Sequence, residues 1–210
     1  MNNLQISDDY QPVLEHVKSF IKEKIEPMEE EFHSEVGKDG DRWQYTARMT
    51  EILEGLKDEA KKEGLWNFFL PNAKFPGVPR ISNLDYAYLA EQMGMSSLAP
   101  EVFNCAAPDT GNMEVLERYG TPAQKEQWLK PLMNGEIRSS YAMSEPDVAS
   151  SDATNIAMEA VLDGDEWVIN GEKIWISGAG DPRCKILICM VVTNPDASRH
   201  SRQSQILVPM

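Results

Sequence analysis

The sequence is short of basic residues, with 20 Lys and Arg against 34 Asp and Glu among 210 residues and a formal net charge of −14. Nucleic acids and anionic membrane surfaces are polyanions, so a chain with this balance would be repelled by them. The composition therefore excludes a general nucleic-acid or membrane-surface partner. It leaves room for a phosphorylated ligand held in a locally basic cleft.

Cysteine is also scarce, and Cys105, Cys184 and Cys189 form no Cys-x-x-Cys pair. An odd count without a signal peptide predicts reduced thiols in a reducing compartment. The first residues are too polar for a signal peptide and too acidic for a transit peptide, and no window is apolar enough to span a bilayer. We expect a soluble cytoplasmic protein, with an organelle matrix as the alternative.

Several common catalytic motifs are missing. His16, His33 and His200 stand alone, with no His-x-x-x-His or His-Glu-x-x-His spacing, so no metal site is expected. No Gly-x-Ser-x-Gly supports a serine hydrolase. The run Gly178-Ala179-Gly180 has Arg183 where a dinucleotide fingerprint needs its third glycine, and a strand follows where the fingerprint needs a helix.

The first two thirds of the chain has helical periodicity. Apolar residues recur every three or four positions, and Thr121, Pro122 and Gln124 form a capping box. Ser82 or Asn83 is expected to cap the third helix, and three prolines predict a loop at 71–79. The predicted helices are 8–32, 46–64, 83–95, 109–119 and a fifth from 121 to about 134.

After Gly135 the pattern changes to short strands. Asp163-Gly164 and Asn170-Gly171 are hairpin signals between strand-like runs. The predicted strands are 156–162, 166–169, 172–176, 185–192 and 205–208. The sequence thus predicts an α+β fold with an N-terminal all-α helical domain, residues 1–136, followed by an antiparallel β domain, residues 137–210.

The seam between these layers carries a recognisable motif. Tyr-Ala-Met-Ser-Glu-Pro at 141–146, Ser-Asp at 151–152 and Asn-Gly-Glu-Lys-Ile-Trp-Ile-Ser at 170–177 resemble the flavin-binding signature of the acyl-CoA dehydrogenases. The resemblance runs from about Asp8 to the last residue. The turn at 147–152 is one residue longer than the usual Gly-x-Gly-Ser-Asp, as in the branch called acyl-CoA dehydrogenase family members ten and eleven. The family resemblance implies a β-barrel-like middle domain that is incomplete here and a C-terminal four-helix domain that is missing from this chain. The chain would then be the first half of the enzyme.

The motif supplies the candidate cofactor site. Taken alone, the loop serines suit a heterocycle or a phosphate, or simply satisfy their own backbone, and Trp175 could be a core residue of a sheet. The resemblance implies that FAD binds Tyr141, Met143, Ser144, Ser150, Ser151, Trp175, Ile176 and Ser177. The backbone of Met143 and Ser144 would meet the flavin O2/N1 or O4/N3 edge, and the hydroxyl of Ser177 would meet N5. On the predicted strand, alternation would send Trp175 and Ser177 to one face.

The substrate is expected near two further groups. The resemblance implies that a serine of the loop lies near the pyrophosphate and the thioester, and the longer turn leaves Ser150 and Ser151 as alternatives, with Ser151 preferred. Arg183, Lys185, Arg199, His200 and Arg202 form the one basic cluster of the sequence. Such a cluster is either a solvated loop or a site for coenzyme A phosphates, which Arg199 and Arg202 suit best.

The resemblance implies FAD-dependent α,β-dehydrogenation of a fatty acyl-CoA thioester in fatty-acid catabolism. An electron-transfer flavoprotein would reoxidise the flavin, and the full-length protein would be a homodimer or homotetramer. The base would be a glutamate beyond residue 210, so no catalytic residue is expected in this chain and the chain alone should be inactive. The alternatives are an acyl-CoA oxidase or flavin monooxygenase of the same fold, and a non-catalytic acyl-CoA-binding or scaffolding homologue.

Overall fold

The computed structural model describes residues 4–70 and 79–210. The chain divides into two compact units, Met1–Thr110 and Gly111–Met210. The loop predicted at 71–79 falls outside the described residues except for Pro79.

The described part of the first unit is built from helices. They are α1 Gln11–Phe20, α2 Glu26–Ser34, α3 Ala47–Lys62, α4 Asn83–Met93 and α5 Ala99–Val102. A π-helical turn, Ile21–Ile25, joins α1 to α2, so the helix predicted over 8–32 is confirmed as one helical stretch with a widened turn. Its buried side chains, including Val17, Phe20 and Ile25, recur at helical spacing and form part of the core.

The predicted helix ends are set by the residues that the sequence indicated. The Thr46 hydroxyl accepts the Met49 N–H at 3.2 Å and caps α3. Beyond the end of α3, Gly64 takes a φ of 75°, the left-handed conformation that favours glycine after a helix. At α4 the cap is Ser82, which accepts the Asp85 N–H at 3.1 Å.

Short helices open the second unit. α6, Asp109–Tyr119, crosses the division between the units, and α7 Pro122–Gln124, a π-helical turn Lys125–Leu129 and α8 Lys130–Met133 follow. The capping box is confirmed, because the Thr121 and Gln124 side chains each accept from the other residue's backbone N–H. Leu129 and Leu132 of this stretch are fully buried.

The rest of the second unit is a curled five-stranded sheet. Its strands are β1 Arg138–Ala142, β2 Glu159–Asp163, β3 Glu166–Asn170, β4 Cys184–Val192 and β5 Gln203–Pro209. The α+β class is confirmed, but the expectation of an antiparallel sheet was wrong. β4 pairs antiparallel with β5 and parallel with β1, and it meets β2 in parallel at one pair, Glu159 and Val192. Turn residues indicate only local hairpins such as the one at Gly164, and they give no signal for the long crossover that brings β4 parallel to β1.

One of the two predicted hairpins forms. β2 and β3 pair antiparallel around Gly164, whose φ is 66°. The strand predicted at 172–176 does not form. Gly171 takes a φ of 148° and passes so close to Met158 that a Cβ there would lie 2.6 Å from the Met158 Cγ. The chain therefore leaves the sheet at this glycine instead of turning back along β3.

β2 also begins later than predicted, at Glu159 rather than Ile156. The Ala157 and Met158 N–H groups donate to the Glu145 carboxylate at 2.8 and 3.0 Å. Because those N–H groups bind a side chain, they are not available to a neighbouring strand.

Candidate functional site

The candidate loop, residues 141–152, is called the serine loop below and starts from a well-anchored strand end. In β1, the Ser139 hydroxyl accepts from Asn112 Nδ2 at 2.9 Å. The Tyr141 hydroxyl accepts from Gln205 Nε2 of β5 at 3.0 Å. The start of the loop is therefore held by both α6 and β5.

A buried ion pair connects the serine loop to residues 173–177, called the tryptophan segment. Lys173 Nζ lies 2.7 Å from Glu145 Oε1, and the two side chains are only 8% and 5% exposed. Lys173 also donates to the Met143 carbonyl at 3.1 Å. Next to this pair, the Ile174 N–H donates to the Ser144 carbonyl at 2.9 Å. The two parts of the motif therefore lie side by side.

Glu145 stays ionised in this setting. Burial by itself would raise the pKa of its carboxyl, but hydrogen bonds from Lys173 and from the Ala157 and Met158 N–H groups outweigh burial and hold the pKa below its usual value. Glu145 is thus a structural anion, and a carboxylate with a lowered pKa is a poor proton acceptor near neutral pH.

The two candidate serines of the loop have different surroundings. Ser150 is buried, and its hydroxyl accepts the Glu145 N–H at 3.0 Å. Ser151 is exposed. Asp152 caps the turn that follows by accepting the Thr154 N–H and hydroxyl at 2.9 and 2.7 Å, and these bonds lower its pKa, with Arg199 adding a smaller effect.

The tryptophan segment differs from the sequence prediction. Trp175 has a φ of 58° and its side chain is 87% exposed. Ser177 begins a 3-10 turn, Ser177–Gly180, rather than continuing a strand, so strand alternation does not place these two side chains. A bulky residue in the left-handed region is strained, and strain of this kind gathers at functional sites. The interpretation of Trp175 as a core residue is wrong.

Gly178 brings the 3-10 turn against β1. A Cβ at this position would lie 2.3 Å from the Ser140 hydroxyl oxygen, and Ser140 is buried. The Cys184 thiol also approaches this hydroxyl, at 3.5 Å. Glycine is therefore required for the close approach that places Ser177 near the start of the serine loop.

An open and largely apolar cleft of about 490 Å³ adjoins these segments. Its volume is within the range of small-molecule sites, roughly 300–1,000 Å³. Lys173 and Ile176 of the tryptophan segment line it together with Ala142, Met158, Leu187 and Val208. Most of the lining residues also belong to or pack against the apolar cluster of the sheet, so the cleft is an open face of the sheet's own core.

The basic cluster predicted from the sequence is divided among local partners. Arg199 donates to Asp152 Oδ2 at 2.8 Å and to the Thr154 hydroxyl at 2.9 Å, and Arg202 donates to the Ala197 carbonyl at 2.9 Å. Arg183 is paired with Asp181. Through Asp152, Arg199 connects to the end of the serine loop.

The sequence did not indicate the residues that join the site. Glu145 and Lys173 belong to the recognised motif, but their pairing links positions 28 residues apart, and the place of Gly178 depends on Ser140 of another strand. Within residues 4–70 and 79–210, no cluster of three or more His, Cys, Asp and Glu side chains could ligate a metal ion. None of the helices in the same described ranges combines the length and apolar character needed to cross a membrane.

Comparison with known proteins decides the family. The model of the acyl-CoA dehydrogenase N-terminal domain matches residues 7–136, and that of the acyl-CoA dehydrogenase middle domain matches residues 140–210. The chain belongs to the acyl-CoA dehydrogenase family. Acyl-CoA dehydrogenase family member 11 of Gallus gallus is 51% identical over 204 residues, which cover 95% of this chain and 25% of that protein. The resemblance to this branch is confirmed, and the chain spans about a quarter of such curated relatives.

Solved structures agree with this membership. A protein of Mycobacterium abscessus assigned to the acyl-CoA dehydrogenases superimposes with a TM-score of 0.89 at 48% identity, over 98% of this chain and 51% of that one. A glutaryl-CoA dehydrogenase of Mycobacterium smegmatis in complex with FADH2 has a TM-score of 0.69 at 22% identity, over 97% of this chain and 46% of that one. The similarity to the glutaryl-CoA dehydrogenase is a similarity of fold alone.

Proposed function

We propose that this chain is the helical and middle β part, residues 1–136 and 137–210, of a FAD-dependent acyl-CoA dehydrogenase that forms the α,β double bond of a fatty acyl-CoA thioester. The observation that carries the proposal is the junction of the serine loop with the tryptophan segment, where Ile174 donates to Ser144 at 2.9 Å. Family membership supports it, and so does the FADH2 bound to a protein of the same fold.

The residues at this junction fit a flavin. The backbone of Met143 and Ser144 would contact one edge of the ring system, with Tyr141 behind them, and Trp175 would cover a face of it. Ile176 lines the adjoining cleft of about 490 Å³. The flavin would supply the acceptor for the β hydride, and a hydroxyl donor from Ser177 would stabilise negative charge at N5.

The loop serines divide the remaining roles. The Ser150 hydroxyl already accepts the Glu145 N–H, so it shapes the cofactor loop from within. Ser151 is exposed and would be the serine that reaches the pyrophosphate and the thioester. We therefore assign the ligand contact to Ser151, which the sequence preferred, and a role inside the loop to Ser150, which was the alternative.

Arg199 and Arg202 are the proposed contacts for coenzyme A phosphates. Both are on the surface, and each donates to a local acceptor at 2.8–2.9 Å. Exposed ion pairs such as Arg199 with Asp152 are weak, so a phosphate can compete for the guanidinium. The geometry of the bond to Asp152 would also tie the substrate site to the end of the serine loop.

The proposed base lies outside residues 1–210. A general base must reach the α proton in an unprotonated, available form. Two of the three carboxylates in the serine loop are held by partners, Glu145 by Lys173 and Asp152 by Thr154 and Arg199, and the third, Asp147, is exposed. On the family resemblance we propose a glutamate from a further helical domain as the base, an electron-transfer flavoprotein as the oxidant, and a homo-oligomer as the working form.

An anaerobic titration tests the function. The protein as its gene encodes it would be purified, its FAD content measured, and acyl-CoA thioesters of different chain length added under nitrogen. We expect the flavin absorption to bleach and dye reduction to follow. Oxygen consumption at a similar rate would identify an oxidase, and bound acyl-CoA without bleaching would identify a non-catalytic binding protein. Either result refutes the dehydrogenase.

A further inference from the structure

The ion pair between Glu145 and Lys173 contacts three segments at the candidate cofactor loop. Glu145 accepts from Lys173 at 2.7 Å, from Ala157 at 2.8 Å and from Met158 at 3.0 Å. Lys173 donates in addition to the Met143 carbonyl at 3.1 Å. One pair of charges therefore holds together the start of the serine loop, the lead-in to β2 and the tryptophan segment.

Stability of the fold does not by itself explain a pair of this kind. Its side chains are 5% and 8% exposed, and removing two charges from water costs much of what their attraction returns. Apolar residues of similar volume commonly stabilise a core as well or better. What an apolar pair could not do is fix the direction of the surrounding backbone groups, which requires hydrogen bonds.

The direction that the pair imposes is visible at Met143 and Ser144. The Met143 carbonyl points to Lys173 and the Ser144 carbonyl accepts from Ile174 at 2.9 Å. Both carbonyls are thus turned toward the protein. The pair and its neighbour Ile174 therefore fix the backbone of the two residues that are proposed to meet the edge of the flavin.

We propose that Glu145 and Lys173 are positioning residues that hold the backbone of Met143 and Ser144 in the conformation that receives the flavin. This inference rests on the proposed function and adds to it the two residues that fix the loop for the cofactor. Neither Glu145 nor Lys173 touches the flavin in this assignment.

The test neutralises the pair without leaving a buried charge alone. The double variant Glu145→Gln/Lys173→Met would be compared with wild type and with Lys57→Met/Glu101→Gln. Lys57 is the control, because its side chain is 3% exposed and it pairs in the helical unit with Glu101 at 3.1 Å and with the more exposed Glu54 at 2.8 Å. The protein as its gene encodes it would be used, stripped of flavin, and FAD affinity, the spectrum of bound FAD and the thermal midpoint of the apoprotein would be measured.

We expect the Glu145/Lys173 double variant to bind FAD at least about tenfold more weakly, because the backbone of Met143 and Ser144 is no longer held in place. The spectrum of bound FAD should shift, and the thermal midpoint should stay close to that of the control variant. The control should bind FAD as wild type does. Equal FAD affinity and an unchanged spectrum in both variants would overturn the positioning role while leaving the proposed function in place.

Two other outcomes also decide the matter. A Glu145/Lys173 variant that does not fold, beside a folded control, would assign the pair to stability and overturn the positioning role. A wild-type protein that binds no FAD would refute the proposed function itself, and the inference with it.

Discussion

The substitution Gly178→Ala tests how closely the 3-10 turn must approach β1. The added Cβ would lie 2.3 Å from the Ser140 hydroxyl oxygen and 3.5 Å from both the Ser139 carbonyl oxygen and the Ser140 Cβ. Only the first of these distances is an overlap. Ser140 is 1% exposed, so its hydroxyl has little free space into which it could rotate.

The expected cost follows from this single overlap. Either the Ser140 side chain leaves its rotamer and loses the Cys184 contact, or the turn withdraws from β1. Overpacking of a buried site by one methyl group typically costs about 1–3 kcal/mol. We expect the free energy of unfolding to fall by that amount and FAD binding to weaken in parallel, because Ser177 begins the displaced turn.

A second substitution, at Ser140, removes the oxygen that the added Cβ overlaps. In Ser140→Ala/Gly178→Ala the overlapping oxygen is absent and the nearest atoms that remain lie at the 3.5 Å of an ordinary contact. The double variant should therefore regain most of the stability lost by Gly178→Ala. Gly55→Ala is the control for the chemical change alone, since a Cβ there meets nothing within 4 Å. Because Gly55 lies inside α3, alanine should stabilise the chain by about 0.5–1 kcal/mol.

Urea unfolding of wild type, Ser140→Ala, Gly178→Ala, the double variant and the Gly55→Ala control, followed by circular dichroism, measures these free energies through a double-mutant cycle. The two substitutions at Ser140 and Gly178 should be strongly non-additive. Additive costs, or a Gly178→Ala variant as stable as wild type, would show that the turn does not depend on contact with Ser140.

Four further outcomes are expected. Ser177→Ala should slow reduction of the flavin by acyl-CoA more than it weakens FAD binding. One neutral hydrogen bond adds about 1 kcal/mol to binding, whereas a donor at N5 acts on the transition state. Equal losses in stopped-flow and binding measurements would exclude that contact. Arg199→Ala/Arg202→Ala should raise KM for the acyl-CoA thioester and leave kcat unchanged, since remote phosphate contacts are equal in ground and transition states. An unchanged KM at every salt concentration would show that both arginines are only surface residues. The pKa of Glu145 is lowered in the folded state. The stability that its carboxylate adds to the fold is therefore complete above the usual carboxylate pKa and is lost as the pH falls through the lowered pKa. Glu145→Gln should flatten the acid limb of a curve of stability against pH, and an unaltered limb would contradict the anionic role of Glu145. The 210-residue chain supplied with FAD should show no acyl-CoA-dependent dye reduction, and turnover near that of the intact enzyme would place the base within it.

The elements that the sequence predicted well are those whose signals are local. Thr46, Ser82 and the Thr121 capping box mark helix starts because each satisfies N–H groups within three residues of itself. Gly164 marks the β2–β3 turn for a similar reason. The apolar face of α3 was predictable because helical spacing alone decides which of its residues can meet the core.

The errors occur where a distant residue overrides a local preference. Asn170-Gly171 has the composition of a hairpin turn, yet Gly171 is used for close passage over Met158. Strand β2 starts late because Glu145, more than ten residues earlier, takes the N–H groups of Ala157 and Met158. The extended conformation expected for Trp175 is likewise absent, since its φ is 58°. Periodicity contains no information about such contacts.

The site uses its acids to hold backbone in place. Glu145 organises the serine loop through three hydrogen bonds, and Asp152 caps the following turn and binds Arg199. Each of these bonds favours the ionised form, so each also removes the carboxylate from proton transfer near neutral pH. Glu145 and Asp152 are thus engaged as anions that hold backbone and are poor bases, which agrees with the proposal that a different carboxylate removes the substrate's α proton.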